Sequence, residues 1–380
     1  MLENIIYEYE EIPRDLNKYI QVNESLHQYF RQDWQKVKAT QYCGILNHGD
    51  KDYYILPKIA NHDSKKNLNI FIYMLMYVYD VKLLNEQTAS SENEPHEILE
   101  VFIQMFIQNL FKEFQKGIYK EYITEQDNLT TLRGKYLINE NLKYNFTKNK
   151  IYCEYDEFSQ NNELNQFFLY AIKTLIKFAK NKKLLKQCEL ILDEVDAKSF
   201  DINKINIHFN RLNSRYKDSF EFAILLLNKF VPTFENGKKS FAFLFDMNVL
   251  FEKFIGRIYK EIDATTELQN ERNFGSLKLR PDIIIKSKNL IIDCKYKVIK
   301  NDKIASREDR YQMYVYANNF ENIDATMLLY PKHLDEIDKT IVLGENDNKV
   351  ELQMKSVDLD FYGGYYEYIE EIRNRLEKII

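Results

Sequence analysis

LRPDIIIKSKNLIIDCKYK, residues Leu279–Lys297, is the stretch from which the rest of the chain is read. Its Ile- and Leu-rich runs predict two short strands joined by a polar turn over Lys286–Asn289. Side chains alternate along a strand, so Asp293, Lys295 and Lys297 share one face, and Cys294 and Tyr296 the other. Asp282 opens the first strand. Whether it lies near the Asp293/Lys295 end or across from it depends on a register that the sequence leaves open. Two carboxylates and a lysine converging on one face can hold a hard divalent cation and activate a water beside a phosphodiester. A solvated hairpin face would show the same Asp-x-Lys, so the flanking residues decide.

Composition sets the frame. With 380 residues, 45% hydrophobic and 29% charged, the chain is expected to fold into two or three domains with real cores. Tyr (28) and Phe (25) are abundant while Gly (10) and Pro (6) are scarce, which favours long helices and ordered strands over loops. The net charge of −5 means that any work on DNA rests on local patches or on a partner. Cys43, Cys153, Cys188 and Cys294 stand alone, without metal-ligand spacing, and the six His are scattered, which speaks against structural zinc and fits a reduced, cytoplasmic protein. The acidic start MLENIIYEYEEIPRD lacks the features of a signal peptide, and the most apolar run, Ile70–Tyr79, is too short to span a bilayer. No membrane association is expected.

The periodicity predicts a first strand within residues 1–12, a helix over Asn23–Ala39 carrying Trp34, a hairpin over Gln41–Ile59, a buried helix over Leu68–Leu84 and a long helix from Pro95 to about Tyr122. Residues 1–125 thus read as an α+β N-terminal domain. Residues 126–239 read as a mainly helical middle region. It has an extended Arg133-Gly134-Lys135, an acidic strand end at Glu154, Asp156 and Glu157, a helix opening at Asn161–Asn165, and helices at Lys182–Val195 and Asp218–Phe230. The acidic trio lacks a third liganding partner and reads as solvated loop; the lysines at 177–186 read as a solvent-facing run. PTFENGKKS, Pro232–Ser240, has the composition of a linker. Residues 240–380 then read as a compact α/β domain with a mixed sheet. Its helices lie at Asp246–Ile262, Ser306–Asn319 and Tyr365–Ile380, with strands at Ala325–Tyr330, Thr340–Leu343 and Val350–Val357.

Two flanking features bear on the Asp-x-Lys face. In the helix before it, Glu252 borders the buried stripe Phe251, Phe254, Ile255, Ile258 and Ile262. In the helix after it, Gln312 and Tyr316 lie one turn apart on one face. Glu, Pro-Asp, Asp-x-Lys and Gln-x-x-x-Tyr, in that order on helix–strand–strand–helix, resemble the PD-(D/E)xK nucleases and among them the RecB-type branch. The segments FDMNVLFEKFIGRIY, LRPDIII, LIIDCKYK and DRYQMYVYA, with LRGKYLINENL and CEYDEFSQNNELNQ, resemble the McrC family more specifically, over roughly residues 50 to 330. McrC is the nuclease subunit of McrBC-type restriction systems.

The resemblance implies an endonuclease that docks on a hexameric AAA+ GTPase of McrB type, stimulates it, and cuts double-stranded foreign DNA as the partner translocates. Matched residue by residue, it gives the catalytic roles to Asp282, Asp293 and Lys295, followed by Glu252 and Gln312. It also implies Mg²⁺, or Mn²⁺, held by Asp282, Asp293, the main-chain carbonyl of Cys294 and Glu252. The N-terminal region matches least, and the mode of docking and the DNA modification recognised stay open. Two rival readings are a stand-alone RecB-type DNA-repair nuclease and a non-cutting activator of a ring NTPase.

Overall fold

Ile283–Ile285 and Leu290–Cys294 form the expected antiparallel hairpin, with Ile283 opposite Ile292 and Ile285 opposite Leu290. A single 3-10 turn, Lys286–Lys288, connects them, and Asn289 closes it in the left-handed conformation that Asn tolerates well (φ 49°). The computed structural model describes residues 4–33, 36–49, 51–60, 63–79, 97–147, 149–202, 204–235, 238–297, 305–332, 336–345 and 348–380. Trp34 and Pro95 lie outside them.

The hairpin is part of a six-stranded mixed sheet. Its order is Thr266–Leu268, Ile283–Ile285, Leu290–Cys294, Ala325–Pro331, Val350–Val357, Asp338–Leu343. Leu290–Cys294 and Val350–Val357 both run parallel to Ala325–Pro331, and the remaining pairs are antiparallel. A parallel pair needs a crossover, and the helix Arg307–Asn319 lies in sequence between Leu290–Cys294 and Ala325–Pro331. Its Met313 and Tyr316 pack on Ile284, Ile291, Leu328, Leu352 and Met354. The opposite face of the sheet meets the helix Met247–Ile262, where a Cβ on Gly256 would lie 3.0 Å from Leu268 and 3.8 Å from Ile283. That helix starts where Asp246 accepts the Asn248 N–H (2.8 Å), and it buries Phe251, Phe254, Ile255 and Ile258 of the predicted stripe, while Ile262 at its end is half-buried. The sheet is thus sandwiched between two helices, and the strand Leu290–Cys294, which carries Asp293 and ends one residue before Lys295, is central to it.

The partition into 1–125, 126–239 and 240–380 is not the one the structure draws. Met1–Ile98 and Val231–Ile380 form one unit, and Leu99–Phe230 the other. In the first unit, Tyr42–His48 pairs antiparallel with Lys238–Asp246, Phe241 facing Asn47 and Asp246 facing Tyr42. The resulting five-stranded sheet runs Ile5–Tyr7, Lys51–Leu56, Tyr42–His48, Lys238–Asp246, Phe230–Glu235. Gly44 permits the pairing, since a Cβ there would sit 2.1 Å from the Phe243 carbonyl oxygen. One core gathers Ile6, Leu16, Leu46 and Ile55 with Ala242 and Leu244. The anticipated linker is therefore two strands of this sheet, with Pro232 on the edge strand, where a missing N–H is tolerated.

Asn23–Ala39 is also corrected. Among its described residues only Glu24–Tyr29 is helical, as a 3-10 segment, and Phe30–Asp33 and Lys36–Ala39 pair as strands. The decisive signal is period two: Val37 and Ala39 are buried while Lys36 and Lys38 are not.

In the second unit the middle region is less helical than expected. Glu121–Leu129, Ile151–Ser159 and Lys135–Tyr136 form a three-stranded sheet, so Glu154, Asp156 and Glu157 lie within a strand, paired with Gln126, Thr124 and Ile123. The helices Glu97–Gln115, Glu163–Leu175, Lys183–Ile191 and Lys217–Lys229 supply its core, around Phe114, Phe167, Phe168 and Tyr216. Among the described residues no helix is long and apolar enough to cross a membrane, and all four cysteines are free thiols.

A buried carboxyl lies in the first unit, just after its first strand. Glu8, 2% exposed, accepts the Tyr296 hydroxyl (2.9 Å) and the Lys58 N–H (2.8 Å) on one carboxylate oxygen, and the other oxygen has no hydrogen-bond partner among the described residues. Burial pushes its carboxyl up to about 7 from its ordinary value near 4.5. The folded chain thus holds this proton to higher pH than the unfolded chain. The associated stability is complete below about pH 4.5 and is lost as pH rises through 7, by about 3 kcal/mol. Glu8→Gln should remove that loss. Its melting midpoint is expected to exceed that of the wild type at pH 8.5 and to match it at pH 5; equal midpoints at both would contradict the burial argument.

Candidate active site

The hairpin register settles how Asp282 lies. Ile283 opposes Ile292, so one step further sets Asp282 across from Asp293. Asp282 Oδ2 accepts the Cys294 N–H at 2.8 Å, which pins the carboxylate to the end of the Asp293 strand. Asp293 is 2% exposed and contacts Lys295 Nζ through Oδ2 at 2.5 Å, in an ion pair that lacks hydrogen-bond alignment. Lys295 Nζ also donates to Gln312 Oε1 (3.0 Å). Gln312 Nε2 donates to the Tyr316 hydroxyl (2.8 Å), and that hydroxyl donates to the Arg280 carbonyl (3.1 Å). A relay of hydrogen bonds therefore returns from the lysine to the backbone just ahead of Pro281-Asp282. The i, i+4 spacing of Gln312 and Tyr316 on the Ser306-capped helix makes it possible.

Glu252 approaches from the helix on the other face of the sheet. Its carboxylate is hydrogen-bonded by Gln269 Nε2, and the Gln269 N–H donates to the Asp282 carbonyl (2.9 Å). Gln269 holds a left-handed backbone (φ 48°) to do both. The structure thus gathers all five anticipated side chains, Asp282, Asp293, Lys295, Glu252 and Gln312, around one strand end. Cys294, whose carbonyl was expected as a ligand, is the last residue of that strand. Its thiol is raised by burial and by the nearby Asp282, Asp293 and Glu252.

Two groups at the site carry weaker sequence signals. Asp309 is buried in the first turn of the helix and ion-pairs with Lys297. Burial works against its charge, but the hydrogen bonds with Lys297 and Ser306 outweigh it and hold the carboxyl below the usual range. The sequence reading missed Asp309; an acid three residues after Ser306 at a helix start is the signal that could have marked it, and its pairing with Lys297 has none. Gln269 has no sequence signature.

Electrostatically, the site has too much negative charge for its lysine. Burial first, then Asp293 and Glu252, pushes Asp282 up to about 7. Burial likewise raises Asp293, with Lys295 opposing. Burial disfavours the charge on Lys295, but Asp293, Asp309 and Asp282 more than compensate, so the ammonium persists. Each of Asp282, Asp293 and Glu252 engages the protein through one carboxylate oxygen. The donor set is all oxygen and its net charge is negative, which fits a hard cation such as Mg²⁺ or Mn²⁺. Among the described residues, no three acids close into a ready-made cage. The fit is therefore to the Asp282/Asp293 pair, with Glu252 near enough for both to feel its charge.

Fold and site together define a mixed α+β protein with a carboxylate–lysine centre at the end of a central strand. The chain belongs to the family described as McrBC 5-methylcytosine restriction system component, whose model matches residues 37–331. It is similar over 99% of its length to 99% of a chain in a refined half-complex from a tetradecameric assembly of Thermococcus gammatolerans McrB AAA+ hexamers with bound McrC (TM-score 0.63, 22% identity). A second structure, the Thermococcus gammatolerans McrBC complex, matches over 67% of this chain and 86% of that chain (TM-score 0.48, 23% identity). Protein Ycf2 of Physcomitrium patens is 24% identical over 289 residues, 74% of this chain; the chain spans 12% of that relative's length.

Proposed function

We propose that this chain is the nuclease subunit of a McrBC-type restriction assembly, a PD-(D/E)xK enzyme that hydrolyses phosphodiester bonds in double-stranded DNA. The observation that carries this reading is Asp282 set across from Asp293, with Lys295 on Asp293 and the Gln312–Tyr316 relay behind it. Asp282 and Asp293 would hold Mg²⁺ or Mn²⁺, with the Cys294 carbonyl and Glu252 as further oxygen donors. Bound there, the cation would supply Lewis acidity at the phosphate and lower the pKa of a water. Lys295, kept protonated by its acidic neighbours, orients the attacking water or meets the charge that develops on the phosphate. Gln312 fixes the ammonium by accepting one of its hydrogens, and Tyr316 fixes Gln312. Glu252 adds negative charge on the far side and is itself held by Gln269.

The partner in this reading is a hexameric AAA+ GTPase of McrB type, whose GTP hydrolysis the chain stimulates. Family membership over residues 37–331 supports it, as does the end-to-end fold likeness to a chain from an assembly of McrB hexamers with bound McrC. The net charge of −5 supports it too, because an acidic chain gains little non-specific attraction to DNA. The isolated protein should bind duplex DNA weakly and cut it slowly. Adding the cognate GTPase and GTP should raise plasmid cleavage by roughly 10²-fold, since a ring that holds the DNA supplies a high effective concentration. Equally fast cutting by the pure chain without nucleotide would point to the stand-alone RecB-type reading.

A further inference from the structure

The helix Arg307–Asn319 has a second working face. Asp309, Gln312, Met313 and Tyr316 turn toward the sheet and the acid cluster. Arg307, Arg310, Tyr311 and Tyr314 follow the complementary i, i+3, i+4, i+7 spacing and so lie on the other side of the same helix. There they line an open cavity of about 420 Å³, bordered by Leu343 and Gly344 at the end of the edge strand Asp338–Leu343.

The lining is chemically specific. Arg307 lies 5.1 Å from the centroid of the Tyr311 ring and donates to its hydroxyl through Nε (2.9 Å). Among the described residues neither Arg307 nor Arg310 pairs with a carboxylate, although the chain is acidic overall. Arg310 Nε is buried without an acceptor among the described residues, an orphaned donor of the kind a bound anion satisfies. Gly344 holds a left-handed backbone (φ 83°), and a Cβ on it would come 2.9 Å from the Tyr314 ring and 2.2 Å from the Asn348 carbonyl oxygen. The backbone can pass against that ring only because residue 344 has no side chain.

We infer that this pocket binds one nucleotide unit, its base against Tyr311 and Tyr314 and its phosphate on Arg307 and Arg310. The two guanidiniums call for an anion, and the two phenol rings with Leu343 call for a flat, partly apolar group beside it. The volume exceeds what a bare phosphate needs and falls in the range of small-ligand sites. The inference deepens the nuclease reading, on which it rests for the nucleotide being part of a substrate strand. The same chemistry would accept a free nucleotide.

The test measures binding in EDTA, where cutting does not interfere, with two probes: 5′-fluorescein-labelled oligothymidylate, and dTMP as competitor. Arg307→Gln and Tyr311→Leu alter exposed side chains, so the fold should be kept, which melting midpoints would check. Each should weaken oligothymidylate binding by about fivefold or more, the effect of losing one stacking or phosphate contact. Competition by dTMP that the same variants abolish would assign the pocket to free nucleotides as well. Loss with the oligonucleotide alone would assign it to a DNA strand. Both outcomes support a nucleotide site. Wild-type binding by both variants, or no binding of either probe by the wild type, would overturn it. Asp293→Asn separates the two readings. If it still cuts DNA while the pocket variants lose binding, the assignment of the reaction to the Asp282/Asp293 site falls and the pocket stands; if it is dead while they bind normally, the pocket alone falls.

Discussion

Asp293→Asn is expected to reduce DNA cutting, assayed with Mg²⁺ and the GTPase partner, by about 10³-fold, the scale of removing one preorganised charge from a reacting centre. The same substitution should leave stability within about 1 kcal/mol of the wild type. Two effects oppose each other. The carboxylate is buried and crowded by Asp282, Asp309 and Glu252, so neutralising it relieves a desolvated charge. Lys295 loses its ion-pair partner but keeps Gln312 and the fields of Asp309 and Asp282. A well-folded Asp293→Asn protein that cuts at the wild-type rate would remove Asp293, and with it the proposed site, from the reaction. Severe unfolding would instead mean that the ion pair is a structural staple.

What the sequence showed of this site was what local geometry controls. Alternation along the stretch from Leu290 to Lys297 put Asp293 and Lys295 on one face, and a four-residue step placed Gln312 and Tyr316 together. Both depend on the period of a single element. The position of Asp282 depended on the turn. Only the 3-10 step at Lys286–Lys288 and the left-handed Asn289 bring it opposite Asp293, and Lys-Ser-Lys-Asn does not announce that turn type. Gln269 was illegible for a further reason. Its role comes from a strained backbone and two contacts distant in sequence, Glu252 and Asp282.

The domain boundaries failed on the same principle. Nothing local in Tyr42–His48 says that it will pair with Lys238–Asp246, and a Pro/Gly/Lys-rich segment suits an edge hairpin as well as a linker. In Asn23–Ala39, a short run of helical spacing in the 3-10 segment masked the period-two burial of Val37 and Ala39. The buried Glu8 is a related case. It reads as one acid in YEYEE, yet it is the residue that ties the first strand of one sheet to Tyr296, just beyond the site strand of the other.

Lys295→Met should abolish cleavage to a similar extent, and it should also change stability in a pH-dependent way. Strand alternation alone would make this a surface exchange of little consequence to the fold. The structure places the lysine side chain at 23% exposure against an Asp293 side chain at 3%, so removing it strands a buried carboxylate. Breaking such a pair from one side costs about 3 kcal/mol. Asp293 can escape part of that by taking up a proton. Its carboxyl, already raised by burial, then rises further above its unfolded value near 3.8. A raised acid contributes stability at low pH that is lost as pH climbs through its folded pKa. The deficit of Lys295→Met against the wild type should therefore be small at pH 5 and largest at pH 8, measured as urea midpoints in EDTA. The double variant Asp293→Asn/Lys295→Met removes both charges and should recover most of the lost stability while staying inactive. Equal midpoints for Lys295→Met and wild type at both pH values would show that Asp293 is not held by Lys295, and cleavage surviving in Lys295→Met would take the lysine out of the chemistry.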